Sequence, residues 1–193
     1  MKRIITLIFI LYISPAFAQT TIFTDTLNSS DSGNAGQSFR DVLTITGGAQ
    51  SQVQVTFTGK AGSTTVVDHA SIGISTGTNS NTTTTPVELT FSGGHGFTFP
   101  NGSTNISSDW VNLSGFTSSN KLVVIIDFDA TTGGGDYAIN TTTATATGYF
   151  FNPGATYNVA SPSGGSNVGT YGIVATIQTR IVSSGTGWLP LAH

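Results

Sequence analysis

The chain has 193 residues, contains no cysteine and carries only 8% charged residues, with nine acidic and six basic side chains. Its length suits one domain with its own hydrophobic core, and the lack of cysteine excludes a disulfide-stapled fold. Beyond the first three positions only four basic residues remain, scattered along the chain, which argues against nucleic acid and anionic membrane surfaces as partners.

The first eighteen residues have the order of a secretory signal peptide. A Met-Lys-Arg start is followed by an apolar run at 4–13 and by the small-x-small pattern of a cleavage site at 16–18. The alternative is an uncleaved membrane anchor, but the run is shorter than the ~20 residues that span a bilayer. We expect cleavage before Gln19, a secreted, periplasmic or cell-surface location, and no membrane insertion of the mature chain.

Apolar residues after the signal peptide recur with period two, the spacing of strands that bury one face. Val53, Val55 and Phe57, for example, alternate with Gln and Thr, and clusters of Gly, Asn, Ser and Pro separate such segments. One turn of helix is compatible with 38–43, and loops are expected at 76–85 and 130–147. We predict about nine strands among ten spans: 22–25, 41–46, 53–58, 65–75, 87–91, 96–99, 109–113, 121–128, 148–151 and 172–182.

The span 121–128 differs from the others because it is apolar on both faces. This pattern predicts a central strand covered on both sides, or a strand whose outer face meets a partner. Many short strands with almost no helix signal indicate an all-β fold, a β-sandwich of jelly-roll type. We expect a single sandwich domain at 19–182 and a loosely held tail at 183–193.

Six segments between residues 50 and 165 follow one another in a distinctive order. They are a strand with a Gly-rich turn at 53–74, the segments at 86–94, 97–103 and 108–113, the apolar strand at 122–128, and the segment at 148–160. This order resembles the N-terminal β-sandwich of certain secreted GDSL-type (SGNH) esterases. In those enzymes a catalytic domain opening with Gly-Asp-Ser follows, and Gly-Asp-Ser occurs nowhere in this sequence. The resemblance implies an accessory sandwich that assists contact with a substrate or carbohydrate, and no catalytic residue carries over.

Catalytic patterns are weak in this sequence. Residues 73–77 match Gly-x-Ser-x-Gly, but the polar run that follows is unsuited to the helix that a nucleophile elbow requires. His69, His95 and His193 show no metal-ligand spacing, and the neighbours Asp68 and His69 point to opposite faces of a strand. We therefore predict no enzymatic activity and interpret the histidines as surface or turn residues.

Three carboxylates flank a Gly-rich stretch, at Asp127, Asp129 and Asp136. Calcium prefers several oxygen ligands, and loops supply them as carboxylates and backbone carbonyls. Calcium is thus the one cofactor that the sequence suggests, and a solvated strand end followed by a turn is the alternative.

Aromatic residues provide the remaining candidate binding site. Sugar rings stack on flat aromatic side chains, and we expect Tyr149, Tyr157 and Trp188 to be exposed enough to bind a ligand. Core packing is the alternative for each, and we favour it for Phe150 and Trp110.

The sequence favours a secreted, non-catalytic binding module, with a polysaccharide or cell-surface glycan as partner. The main alternative is a structural protein of a cell surface or virion, a homo-oligomer that assembles through exposed strand edges. A surface-adsorbing protein and an enzyme with an unrecognised site rank below these two.

Overall fold

The computed structural model describes residues 18–60, 64–77, 79–99, 104–130, 137–142, 145–152, 154 and 156–182. The expected signal peptide and tail, at 1–17 and 183–193, lie outside the described residues. Within the described part the chain forms fourteen strands and no helix, so no helix there is able to span a membrane.

The strands account for the predicted pattern and add to it. In chain order they are β1 (Gln19–Thr24), β2 (Ser29–Asp31), β3 (Ser38–Thr44), β4 (Gln52–Thr58), β5 (Thr65–Ile74), β6 (Val87–Leu89), β7 (Phe97–Phe99), β8 (Asn105–Ser107), β9 (Val111–Asn112), β10 (Lys121–Phe128), β11 (Tyr137–Ile139), β12 (Ala146–Phe151), β13 (Ser166–Gly169) and β14 (Val174–Arg180). Each of the ten predicted spans overlaps one strand. The number of about nine was too low, because β2, β8, β11 and β13 were not predicted.

Two sequence predictions are corrected. The helical turn at 38–43 is wrong, because this segment is β3 and pairs with β10 on one side and β12 on the other. The stretch 130–147 is not only loop, since it contains β11 and the start of β12.

The strands form a sandwich with jelly-roll topology. One antiparallel sheet has the order β1-β14-β4, with β8 and β9 both paired to β4 beyond it; the other has the order β13-β12-β3-β10-β5, with β6 and β7 both paired to β5. Counting β6/β7 and β8/β9 as one position each, the eight core positions in chain order are arranged 1-8-3-6 and 2-7-4-5, which is the double Greek key of a jelly roll. Strands β12 and β13 extend the second sheet, and β2 and β11 form a small separate sheet.

The core lies between the two sheets. Val53, Val55 and Phe57 on β4 are fully buried, and they belong to the same cluster as Val124 and Ile126 on β10. Burying each such side chain stabilises the fold by roughly 1.5–3 kcal/mol. The period-two pattern that predicted the strands is therefore the pattern of this shared core.

Strand β10 is covered on both sides, as its sequence predicts. Its inner-face residues join the main core, while Val123 and Ile125 on the outer face form a second buried cluster with Val42. Tyr149 and Tyr157 pack against that outer cluster. The cover is the segment 156–165, here called the crossing loop, which runs over the outer face of the seven-stranded sheet.

Candidate functional site

The crossing loop is held down by polar residues buried on the outer face of the sheet. Arg40 on β3 is fully buried and donates to Thr156 Oγ1 at 3.2 Å, to Thr156 O at 2.6 Å, to Ser80 O at 2.9 Å and to Val159 O. Burial lowers the pKa of Arg40 to about 10, partly offset by the charge of Asp127, so the guanidinium stays charged at neutral pH. The loop therefore has a fixed position, and two surface features lie beside it.

The first feature is a shallow cavity of about 270 Å³ beside Tyr149. Three asparagines, two aromatic rings and the glycine-rich end of the crossing loop line it: Asn79, Ser80, Asn81, Tyr149, Phe151, Pro162, Gly164, Gly165 and Asn167. Tyr149 is half-buried, and Asn167 Nδ2 donates to its hydroxyl at 3.2 Å. A Cβ added at Gly165 would lie 2.3 Å from the Phe151 ring, so glycine is required for the loop to approach this wall. Amide donors and acceptors around a flat ring suit a polyhydroxylated ligand.

The second feature surrounds Tyr157, whose ring lies flat on His69. The two ring centroids are 4.0 Å apart with an angle of 6° between planes. His69 Nδ1 is 2.8 Å from Glu88 Oε1, and His95 Nδ1 is 3.1 Å from the same oxygen. Both imidazole Nδ1 atoms thus lie next to the same oxygen, Glu88 Oε1, although the three residues are separated in sequence.

Strand pairing explains why these three side chains meet. In the β5–β6 register Ser71 lies opposite Glu88, so Glu88 shares the outer face with Ser71 and His69. His95 follows in the turn between β6 and β7, and Gly96 allows that turn to approach β5, since a Cβ there would lie 2.3 Å from Val67 O.

The turn that carries His95 is braced from a second side by Asp109. Its carboxylate accepts hydrogen bonds from the backbone of Gly93 at 2.9 Å and Ser92 at 3.2 Å, and from Thr90 Oγ1 at 2.7 Å. These hydrogen bonds, that from Gly93 first, lower the pKa of Asp109. The turn is therefore held in place at both of its ends.

The predicted calcium ligands are placed as follows. The Asp127 carboxylate is buried and accepts hydrogen bonds from Ser38 Oγ, from Thr156 N at 3.3 Å and from Tyr157 N at 3.2 Å. Asp127 therefore holds the crossing loop. Asp129 is half-buried next to it, and Asp136 lies outside the described residues. Calcium at this strand end stays a prediction.

The predicted aromatic site is partly assembled. Tyr149 on β12 and Tyr157 in the crossing loop both pack on the outer face, although both are half-buried rather than fully exposed. Trp188 lies outside the described residues. Phe150 packs against the core as expected, but Trp110 does not, because its half-buried ring lies 4.4 Å below the guanidinium of Arg180.

The serine of the Gly-x-Ser-x-Gly match follows β5 directly and forms an isolated antiparallel β-bridge with Thr82. Ser75 is buried, its Oγ accepts a hydrogen bond from Gly77 N at 3.0 Å, and the described residues that follow form turns and bends. A nucleophile elbow needs a helix at that point.

The histidine–glutamate group is the feature that sequence reasoning missed. Among the residues that the structure describes, His69, Glu88 and His95 are the one set of three such side chains close enough to share a metal ion. The only signal in the sequence was that β5 and β6 are consecutive strands, and this does not give the register.

The sequence matches no protein-family model and no curated protein, so the resemblance to GDSL-type accessory sandwiches stays a prediction.

Proposed function

We propose that this chain is an exported, non-catalytic binding module that takes a glycan in the cavity beside Tyr149. The observation that carries the proposal is the composition of that cavity, a half-buried tyrosine ring flanked by the side chains of Asn79, Asn81 and Asn167. An aromatic ring offers a flat apolar surface to the C–H face of a sugar, and amides exchange hydrogen bonds with its hydroxyls. The predicted signal peptide agrees with an extracellular ligand.

Two further features agree with this proposal. The jelly roll is a fold on which lectin domains are built, which is an argument by analogy alone. The cavity walls come from three separate parts of the chain, namely 79–81, β12 and 162–167, and Arg40 fixes the first of them through Ser80 O. A site on such fixed elements needs little ordering when a ligand binds.

The test is binding of the purified protein to a glycan array and a panel of insoluble polysaccharides. Tyr149→Ala is expected to weaken binding at least about tenfold, equivalent to 1.4 kcal/mol, and Asn167→Ala to weaken it less. Trp110→Ala is the matched control, since it removes a half-buried aromatic residue that directly precedes β9 and does not line this cavity. No retention on any glycan, or equal retention by Tyr149→Ala, would refute the proposal.

One observation favours self-assembly as the second candidate function. Strand β13 is an edge of the seven-stranded sheet, all four of its residues are exposed, and Val168 is 40% exposed. An exposed edge offers unpaired backbone groups to another chain. Size-exclusion chromatography with light scattering separates the two candidates, since ordered assemblies that Val168→Lys dissociates would favour a structural role.

A further inference from the structure

The ligand atoms of His69, Glu88 and His95 lie close enough together to share one metal ion. Two imidazole nitrogens are 2.8 and 3.1 Å from one carboxylate oxygen, and ligand atoms of all three residues lie within 4.8 Å of one another. Around Zn²⁺, bonds of about 2.0–2.2 Å at tetrahedral angles set ligand atoms about 3.4 Å apart. The His95 side chain is 66% exposed, so its ring is free to rotate to that spacing.

We propose that His69, Glu88 and His95 form a binding site for a divalent transition metal, Zn²⁺ by preference. Two imidazole nitrogens and one carboxylate oxygen suit zinc, copper or nickel, whereas Ca²⁺ and Mg²⁺ take oxygen ligands. Three protein ligands leave a fourth zinc position to water or to a ligand atom. This proposal is independent of the glycan cavity and of the predicted calcium ligands.

The support around the ligands distinguishes this group from histidines that are close by chance. The His69 ring is covered by Tyr157, whose backbone N–H donates to Asp127 and whose carbonyl accepts from Ser71 Oγ at 2.6 Å. Glu88 lies on a strand paired with β5. Residues that fix the orientation of metal ligands contribute to affinity, and here His69 and Glu88 have such support.

The surroundings favour a bound cation and leave it accessible. A cavity of about 320 Å³ adjoins His69 and Tyr157, and the carboxylate-bearing residues Asp68 and Asp127 also line it. The His69 and Glu88 side chains are 35% and 32% exposed, so solvent and an external ligand reach the group. The site therefore differs from a closed structural zinc site.

The experiment is a calorimetric titration of the full chain with ZnCl₂ at neutral pH. The chain is expressed for export and purified without a polyhistidine tag. We expect one equivalent of Zn²⁺ per chain, and Ca²⁺ at the same concentration should not displace it. Co²⁺ substitution gives a second readout, because its visible absorption bands report a tetrahedral site with nitrogen ligands.

Three variants make the result specific. His95→Asn and Glu88→Gln should each weaken Zn²⁺ binding by at least about 100-fold, more than the loss of a supporting residue usually costs. Since His95 is exposed, His95→Asn should leave the unfolding temperature of the metal-free protein unchanged. His193→Asn is the matched control and should bind like the wild type.

Either of two results would overturn the proposal. One is the absence of Zn²⁺ binding to the untagged wild type. The other is binding that His95→Asn and Glu88→Gln leave intact, which would assign the metal to another part of the chain.

Discussion

Replacing Arg40 by methionine tests whether one buried charge holds the crossing loop on the sheet. The guanidinium is fully buried, and it donates to the carbonyl oxygens of Ser80, Thr156 and Val159. Methionine fills a similar volume but donates no hydrogen bond. The substitution leaves these three oxygens without their donor and the buried carboxylate of Asp127 without a nearby positive charge.

The expected loss follows from these contacts. A hydrogen bond to a charged group contributes about 1.5–3 kcal/mol, but bonds that share one side chain do not add. Removing one member of a buried charged group typically costs 3–5 kcal/mol, so we expect Arg40→Met to lower the free energy of unfolding by about 3–5 kcal/mol. For a chain of this size that lowers the unfolding temperature by about 6–20 °C.

Denaturant unfolding, monitored by circular dichroism, measures the difference in the free energy of unfolding between Arg40→Met and the wild type. Hydrogen exchange should show, in addition, faster exchange of the Thr156 and Tyr157 amides, which donate to Asp127. Arg180→Met is the matched control, because that arginine is half-buried above Trp110 and its loss should cost about 1 kcal/mol or less. A loss below about 1 kcal/mol for Arg40→Met would refute the role assigned to Arg40.

Two smaller predictions concern the cavity and the core. Gly165→Ala places a carbon 2.3 Å from the Phe151 ring, so this variant should weaken glycan binding. Gly94→Ala is the control, because its added carbon has no atom nearer than 3.5 Å and should leave glycan binding unchanged. Glycan-binding assays on both variants test the prediction. Burial, first among the causes, raises the pKa of the Asp41 carboxyl well above 3.8, so the folded chain keeps a proton that the unfolded chain has lost. Stability should therefore fall as the pH rises from about 4 towards the folded-state pKa. Urea unfolding at several pH values in this range measures the free energy of unfolding, and Asp41→Asn should make that free energy less dependent on pH.

The sequence predicted most of the strands that build the core, but it missed β11, whose Tyr137 and Ile139 are buried there, and three more polar or short strands. Strands β4 and β10 carry apolar residues at every inner position, which gives the period-two signal. Strands β2 and β13 are short and polar, Ser-Ser-Asp and Ser-Asn-Val-Gly, and become strands only because β11 and β12 pair with them. Such strands have no local pattern, since pairing is a tertiary property.

The candidate site was predictable only in part for the same reason. Tyr149 and Tyr157 were identified by residue type, and their shared face depends on the crossing loop, which has no sequence signature. Asp127 was expected to bind calcium, but it faces Arg40, whose burial the sequence gives no reason to expect. Charged residues are rarely buried without polar partners, and here both side chains find hydrogen-bond partners in the crossing loop.

A β-bulge at Asp68 explains how the histidine group and the core coexist on β5. His69 lies opposite Asp127 and Val67 opposite Phe128, so Asp68 is the extra residue. With strict alternation Asp68 would share the inner face of Ala70 and enter the core, and Val67 would point outward. The bulge instead exposes Asp68 and buries Val67. It thereby keeps His69 on the outer face, beside Glu88 and Tyr157, while the segment that pairs with β7 returns its apolar residues to the core. Bulges commonly re-aim side chains next to functional sites, and this one lies at the residue before the first proposed metal ligand.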